Sequence, residues 1–163
     1  MIPVISVVGK SGTGKTTLLE KLIPEVKKRG FRVATIKHDA HRFEIDKPGK
    51  DSYRHYHAGA DAVLISSAEK MAMISRTDGE EIILDELIKK LPPVDLILTE
   101  GYRAQNKPKI EVHRKELGSH LLCAQDEVIC YATDEPLDVN QLCFDINDAV
   151  GIVDLLQKHF LKY

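Results

Sequence analysis

Eight residues near the amino terminus have the types and spacing that hold the phosphates of a nucleoside triphosphate. The run Gly9-Lys10-Ser11-Gly12-Thr13-Gly14-Lys15-Thr16 fits Gly-x-x-x-x-Gly-Lys-Ser/Thr at every required position. Glycines let backbone N–H groups turn toward phosphate oxygens, Lys15 adds a positive charge, and the Thr16 hydroxyl can coordinate Mg²⁺. The predicted triphosphate-binding residues are Gly9, Ser11, Gly12, Thr13, Gly14, Lys15, Thr16 and Thr17.

The segments on either side of this loop predict the strand and the helix that such a loop requires. The apolar run from Ile2 to Val8 is typical of a buried strand. After the loop, apolar residues recur on one face at helical spacing; they are Leu18, Leu19, Leu22, Ile23 and Val26. Bound phosphates would therefore lie at a helix N-terminus, where free N–H groups and the helix dipole favour anions.

A second apolar run delivers the candidate acid of the site. Leu96-Ile97-Leu98-Thr99-Glu100-Gly101 places Glu100 at the carboxyl end of a predicted buried strand. From there Glu100 could hold Mg²⁺ through water or polarise an attacking water, which makes it the predicted catalytic residue and second metal ligand. Asp95 is the competing acid, but it opens the strand, roughly 16 Å away at about 3.3 Å per residue.

The polar segment that follows the second predicted strand carries further candidate ligands. Asp39 can reach the Mg²⁺ region from the neighbouring strand end. Lys50 and Ser52 lie near the N-terminus of a short predicted helix over about 49–58, where they could hold an anion. His38 and His41 are three positions apart, a spacing that converges on a metal only if the segment is helical. A solvated loop and a metal site both stay open for this histidine pair.

The order of the predicted elements indicates an α/β fold of the P-loop NTPase kind, with a largely parallel central sheet flanked by helices. Further strands are predicted near 31–37, 109–113, 128–132 and 143–146, and further helices over 80–91 and after Asn147 or Asp148. The two β-like runs within 61–76 predict a β-hairpin extension. Because a two-stranded hairpin is unstable alone, it packs within one subunit or serves as a dimerisation element.

Length, charge and composition limit the classes of protein to which this chain can belong. The chain has 163 residues and a formal net charge of −2, which suits one domain spanning 1–163 and gives no indication of general nucleic-acid binding. The start Met1-Ile2-Pro3-Val4 lacks the basic flank of a secretion signal, and no apolar stretch approaches membrane-spanning length. The three cysteines lack a metal or disulfide spacing. These features predict a cytoplasmic protein with reduced thiols.

Four stretches in order resemble the MobB family of molybdopterin-guanine dinucleotide biosynthesis, which consists of small P-loop GTP-binding proteins. They read GKSGTGKTTLL at 9–19, TIKHDAH at 35–41, DKPGKDSYR with a following AGA at 46–60, and DLILTEGY at 95–102. Weaker likeness lies in PKIEVHR at 108–114, ATDEPL at 132–137 and DINDAVGI at 145–152. The phosphate loop is shared by many families, whereas the second and third stretches are far more specific.

This resemblance implies a GTP-binding accessory protein that uses Mg²⁺, hydrolyses GTP slowly, and forms homodimers. The resemblance also implies a partner, which is either molybdopterin or the enzyme that joins GMP to molybdopterin. For guanine recognition, Asn106-Lys107-Pro108-Lys109 lacks the final Asp of the Asn-Lys-x-Asp motif of many GTPases. Asp134, just after the strand at 128–132, is the better-placed candidate.

Two other classes of P-loop protein stay open from the residues alone. A small-molecule kinase would need an acceptor pocket and usually an arginine-rich lid, and the sequence has no such insertion. A metal-insertion GTPase for nickel enzymes would use the histidines, yet no Cys/His motif of firm spacing is present. Arg54 and Arg103 are the only arginines near the predicted site segments. With neither placed by a motif as an arginine finger, we expect low intrinsic turnover.

Overall fold

The fold consists of two compact units in the computed structural model, which describes residues 2–39, 43–77, 79–118 and 120–161. The first, here called the sheet unit, comprises Met1–His38 and Leu91–Tyr163, and the second, the hairpin unit, comprises Asp39–Lys90. The sheet unit contains the phosphate-binding sequence and the strand that ends at Glu100. The prediction of one nucleotide-binding domain over 1–163 stays a prediction.

A six-stranded sheet in which every pairing is parallel forms the centre of the sheet unit. Its strands are β1 (Val4–Val8), β2 (Val33–Lys37), β5 (Leu96–Glu100), β6 (Lys109–His113), β7 (Val128–Thr133) and β8 (Leu142–Asp145). Their spatial order is β2-β5-β1-β6-β7-β8, so β1 lies between β5 and β6. This arrangement confirms the predicted α/β fold with a parallel sheet flanked by helices.

The burial of the central strands explains why their sequences read as continuous apolar runs. All five residues of β1 are buried, and so are the first four of β5. A parallel sheet is covered on both faces, so its inner strands show no alternation of apolar and polar residues. The loops that follow β1, β5 and β6 leave the same edge of the sheet, since parallel strands bring their carboxyl ends together.

Two long helices complete the sheet unit. Helix α1 (Lys15–Lys28) buries Leu18, Leu19, Leu22 and Val26, which confirms the apolar face predicted for it. It ends before Gly30, whose φ of 88° is the left-handed value typical of a helix stop. The last helix of the chain, Ala149–His159, begins after Asp148, whose carboxylate accepts a hydrogen bond from the Gly151 N–H at 2.9 Å. Asp148 is therefore the cap, rather than Asn147.

The hairpin unit contains α2 (Asp51–His57), the antiparallel pair β3 (Ala62–Ser66) and β4 (Met71–Ser75), and α3 (Leu84–Lys89). Arg76 ties the hairpin to α2, because its guanidinium donates to the Tyr56 carbonyl at 2.6 Å and lies 4.4 Å from the Tyr56 ring centroid. The hairpin was predicted within 61–76 and is confirmed.

The helix predicted over 80–91 is shorter in the structure, where it is α3. Ile83, at the position before α3, has an extended backbone with ψ of 147° and makes no side-chain capping bond. The helix therefore starts only at Leu84.

The last helix in chain order, Ala149–His159, is α4. In the part of the chain that the structure describes, no helix combines the length and the apolar character needed to cross a membrane.

Candidate functional site

The candidate site is built on the loop between β1 and α1, whose backbone shape depends on glycine. Gly12 and Gly14 have φ values of 80° and 95°, in the left-handed region that residues with a Cβ rarely adopt. Gly14 is also the N-cap of α1 and has no side chain to cap the first turn. The N–H groups of that turn are thus left to an external acceptor such as an anion.

Thr13 fixes the loop from inside. Its side chain is buried, and its hydroxyl donates to the Lys10 carbonyl at 2.9 Å. By contrast, Ser11, Gly12, Thr16 and Thr17 are exposed. The structure therefore divides the predicted phosphate-binding residues into one that shapes the loop and others that present polar groups to solvent.

Lys15 lies folded across the loop. Its Nζ donates to the carbonyl oxygens of Gly9 at 3.0 Å and Lys10 at 2.8 Å. Partial burial lowers the pKa of Lys15; the negative charge of Glu100 opposes this shift, and the positive charge of Lys37 adds to it. An ammonium group in this position is ready to exchange backbone carbonyls for the more negative oxygens of a phosphate.

Thr16 and Glu100 meet at the mouth of the loop. The Thr16 hydroxyl lies 3.0 Å from Glu100 Oε1 and 3.1 Å from Oε2. The pairing of β1 with β5 sets this contact, because it places Glu100 beside Val7, just before the loop. A hydroxyl and a carboxylate are hard oxygen ligands of the kind that Mg²⁺ takes, so this pair fits the metal role predicted for both residues.

The turn after Glu100 is tightly built. Gly101 and Tyr102 both have positive φ, 91° and 56°, and for an aromatic residue such as Tyr102 this is an uncommon, strained conformation. The Tyr102 ring lies 5.2 Å from the His38 ring, and the His38 N–H donates to the Glu100 carbonyl at 3.0 Å. These contacts fix the backbone from which the Glu100 carboxylate projects.

Asp95, the acid set aside as too distant, has a structural contact at the other end of β5. It precedes the strand and accepts hydrogen bonds from the backbone N–H of Arg32 at 2.7 Å and from its guanidinium at 2.9 and 3.1 Å. These bonds lower the pKa of Asp95 to about 2. The structure thus brings Glu100, and not Asp95, to the loop.

The polar segment after β2 is placed only in part. Asp39 is exposed and is the first residue of the hairpin unit, while Lys50 is the exposed N-cap of α2 in that unit. The roles predicted for Asp39 and Lys50 in ligand binding stay predictions. His41 lies outside the described residues, so the histidine pair cannot be compared. Among residues 2–39, 43–77, 79–118 and 120–161, no group of three or more His, Cys, Asp or Glu side chains could hold a metal.

Arg114 is a loop-contacting residue that sequence reasoning missed. It follows β6, and its Nε donates to the Thr13 carbonyl at 3.2 Å. A Cβ built on Gly14 would lie 3.6 Å from its guanidinium. The expectation that Arg54 and Arg103 are the only arginines near the site segments was therefore wrong. The signal was available, because Arg114 comes directly after a predicted strand at the carboxyl edge of the sheet.

Asp134, the candidate for guanine recognition, lies beside Arg114. One carboxylate oxygen accepts from the Lys115 N–H at 2.9 Å, and the other lies 3.6 Å from the Arg114 guanidinium. Close by, the buried His113 is 2.8 Å from Glu135. Asp134 is thus linked through Arg114 to the loop between β1 and α1, and its role in guanine recognition stays a prediction.

Comparisons with known proteins agree on one family. The family described as "Molybdopterin guanine dinucleotide synthesis protein B" matches residues 4–134. A protein of Haemophilus influenzae named "Molybdopterin-guanine dinucleotide biosynthesis adapter protein" is 39% identical over 158 residues, which cover 96% of this chain and 88% of that protein. A protein of the same name from Escherichia coli is 40% identical over 167 residues, covering 99% of this chain and 95% of its own length.

Solved structures lead to the same family. The crystal structure of Bacillus subtilis MobB has a TM-score of 0.77 and 26% identity, with 99% of each chain covered. A crystal structure of molybdopterin-guanine biosynthesis protein B has a TM-score of 0.72 and 28% identity, covering 95% of this chain and 98% of that one. With a family match over most of its length and relatives that align almost end to end, the chain belongs to the molybdopterin guanine dinucleotide synthesis protein B family.

Proposed function

We propose that this protein is a GTP-binding accessory, or adaptor, protein in molybdenum cofactor biosynthesis. In this role it assists the conversion of molybdopterin to its guanine dinucleotide form. The names of its relatives in Haemophilus influenzae and Escherichia coli, both called adapter proteins of that pathway, support the proposal. They also favour an accessory protein over a small-molecule kinase or a nickel-inserting GTPase.

The observation that carries the nucleotide part of the proposal is the contact of Thr16 with Glu100, at 3.0 and 3.1 Å, beside the Lys15 ammonium. Lys15 and the N–H groups at the start of α1 would bind the triphosphate. Thr16 and Glu100 would hold Mg²⁺, which neutralises charge on the phosphates when bound. Glu100 would also orient the water that attacks the terminal phosphate.

We infer weak GTP hydrolysis. Arg114, the arginine that the structure brings to the loop, is bonded to the Thr13 carbonyl and lies against Asp134. It therefore braces the loop instead of projecting freely as an arginine finger would. P-loop GTPases without such a finger turn over as slowly as about 10⁻⁴ per second, and a supplied arginine adds roughly 10³–10⁵-fold. We expect the pure protein to stay below about 1 per second.

We also propose a cytoplasmic homodimer that pairs through the hairpin. Four apolar side chains of β3 and β4 are exposed: Leu64, Ile65, Met71 and Met73. Leu64 and Met73 lie directly opposite each other in the register, so they form one apolar face. Solvent-exposed apolar patches of this kind mark interaction sites, and a second copy of the hairpin would cover one. The further partner is molybdopterin or its guanylyltransferase.

Calorimetric titration of the pure protein with GTP and ATP, with and without Mg²⁺, tests the proposal. We expect binding that depends on Mg²⁺ and favours GTP. Lys15→Ala should weaken GTP binding about 10- to 100-fold, since a charge-assisted hydrogen bond contributes roughly 1.5–3 kcal/mol. Lys28→Ala is the matched control, because that lysine is 79% exposed on α1, at the opposite end of the helix from the loop. Unchanged GTP affinity in Lys15→Ala would refute the nucleotide site.

A further inference from the structure

A second lysine lies at the same end of the loop as Glu100. Lys37 is the last residue of β2, and its Nζ is 3.8 Å from Glu100 Oε1. The pairing of β2 with β5 sets Lys37 directly beside Glu100, and the pairing of β5 with β1 sets Glu100 beside Val7. The sheet thus places the ammonium of Lys37 close to the Glu100 carboxylate, which Thr16 also contacts.

The contact of Lys37 with Glu100 is too long to contribute much to the stability of the fold. At 3.8 Å it is longer than a hydrogen bond, and 61% of the Lys37 side chain is exposed. Exposed ion pairs of this kind contribute little to stability. Glu100, in turn, already accepts from the Thr16 hydroxyl at 3.0 Å. Lys37 can therefore leave Glu100 for a stronger acceptor without loss to the fold.

Two ammonium groups interact electrostatically around this carboxylate, Lys37 at 3.8 Å and Lys15 from within the loop. The charge of Lys37 acts on Lys15 and contributes to lowering its pKa, while Glu100 acts in the opposite direction. The cluster of Lys15, Lys37 and Glu100 has an excess of positive charge that an additional anion would relieve. Two further basic side chains near the loop hold backbone oxygens, because Lys10 donates to the Leu117 carbonyl at 2.7 Å and Arg114 to that of Thr13 at 3.2 Å.

We propose that Lys37 binds the terminal phosphate of the nucleoside triphosphate and so distinguishes a triphosphate from a diphosphate. This inference rests on the proposed nucleotide site. In that site the loop lysine reaches the second and third phosphates, and the hydroxyl at Thr16 marks the metal position between them. Lys37 belongs to β2, on the other side of β5 from β1, and its Nζ is 3.8 Å from Glu100 Oε1. With Glu100 as a ligand of the metal, the Lys37 ammonium would lie beside the metal position and within reach of the third phosphate.

Affinities of the full-length protein for GTP and GDP, in the presence of Mg²⁺, test the inference. Lys37→Met keeps the length of the side chain and removes its charge, and it should weaken GTP binding about 10- to 100-fold. GDP binding should stay within about threefold of the unmodified protein, since the lost contact is to the third phosphate. Lys37→Arg keeps the charge and should recover much of the preference for GTP. Lys28→Met is the control at an exposed lysine away from the site.

The outcomes separate this inference from the proposed function. Equal losses for GTP and GDP in Lys37→Met, or no loss for either, would overturn the role of Lys37 and leave the nucleotide site standing. Failure of the unmodified protein to bind GTP or GDP at all would overturn the nucleotide site, and the role of Lys37 with it. Retained GDP binding in Lys37→Met also reports that the variant is folded.

Discussion

The hydroxyl of Thr16 lies within hydrogen-bonding distance of both carboxylate oxygens of Glu100, although the two residues are 84 positions apart in the chain. Thr16 stands in the first turn of α1 and Glu100 at the end of β5. The parallel pairing of β1 with β5 creates the contact, because it sets Glu100 beside Val7, just before the loop. If Thr16 and Glu100 hold Mg²⁺ as proposed, the metal would connect the phosphate site to the central strands of the sheet.

Glu100→Gln separates the two roles proposed for Glu100. The amide keeps the shape of the side chain and removes the charge, so it polarises an attacking water less well. We expect the rate of GTP hydrolysis to fall more than the affinity for GTP. Single-turnover rates and equilibrium titrations on the same protein would measure the two effects.

Glu20→Gln is the control for Glu100→Gln, since it makes the same change at an exposed carboxylate of α1 that has no predicted role in the site. A parallel loss of rate and affinity in Glu100→Gln would assign Glu100 to metal or nucleotide binding rather than to the chemical step.

Asp95→Asn examines the acid at the opposite end of β5. Hydrogen bonds from Arg32 lower the pKa of Asp95 from 3.8 to about 2, so the folded state favours the charged form. This stabilisation is fully present above the unfolded pKa and is lost as the pH falls through the folded one. We expect Asp95→Asn to lower the urea midpoint at about pH 7, and the difference from the unmodified protein to shrink toward about pH 3.

The control for this pH series is Asp126→Asn, at an exposed position of the same unit. A difference that stays constant from neutral to acid pH would contradict a stabilising charge on Asp95. Nucleotide binding should be unaffected by Asp95→Asn, because the residue lies at the far end of the strand from the loop.

The sequence predicted those parts of the site that depend only on the pattern of residues within one continuous segment. The loop at 9–16 and its flanking strand and helix follow from local spacing, and Glu100 follows from its place at the end of a continuous apolar run. Both depend on the rule that ligands gather at the carboxyl ends of parallel strands. That rule says which end of each strand matters, and it was enough to choose Glu100 over Asp95.

The neighbours of these residues depended on strand order, which local pattern does not determine. Lys37 meets Glu100 because β5 lies between β2 and β1, and Arg114 meets Thr13 because β6 lies on the other side of β1. Lys37 ends a predicted strand and Arg114 directly follows one, so the sequence places both at the correct edge of the sheet. What was missing was the long-range pairing that makes one strand adjacent to another.

Met73→Glu tests the hairpin as a dimerisation element. Met73 is 54% exposed and lies opposite Leu64, so a carboxylate there would have to be buried in any interface that covers this face. We expect a protein that is dimeric by light scattering to become monomeric. Substitution of an exposed residue changes stability by only about 0.5 kcal/mol, so the monomer should remain folded.

Ile83→Glu is the matched control for the hairpin, because Ile83 is 64% exposed in the same unit but lies outside β3 and β4. It should leave the dimer intact. A Met73→Glu protein that retains the dimeric mass would remove this face from the interface.

Asp134→Asn asks whether Asp134 recognises the base or only supports the loop. Guanine offers two donors, its ring N–H and its amino group, to a carboxylate, whereas xanthine offers a donor and an acceptor, which an amide matches. If Asp134 binds guanine, Asp134→Asn should favour XTP over GTP. Mismatching one such hydrogen-bonded pair reduces affinity about 10-fold or more, since an unsatisfied buried donor costs roughly 1–3 kcal/mol.

The contacts of Asp134 define the competing outcome. Its carboxylate accepts from the Lys115 N–H at 2.9 Å and lies 3.6 Å from the guanidinium of Arg114, which in turn holds the Thr13 carbonyl. A residue that acts only through this chain would affect every nucleotide alike. Equal weakening of GTP, ATP and XTP in Asp134→Asn, reproduced by Arg114→Lys, would therefore assign Asp134 to positioning the phosphate loop. A switch to XTP in Asp134→Asn, absent from Arg114→Lys, would assign it to the base.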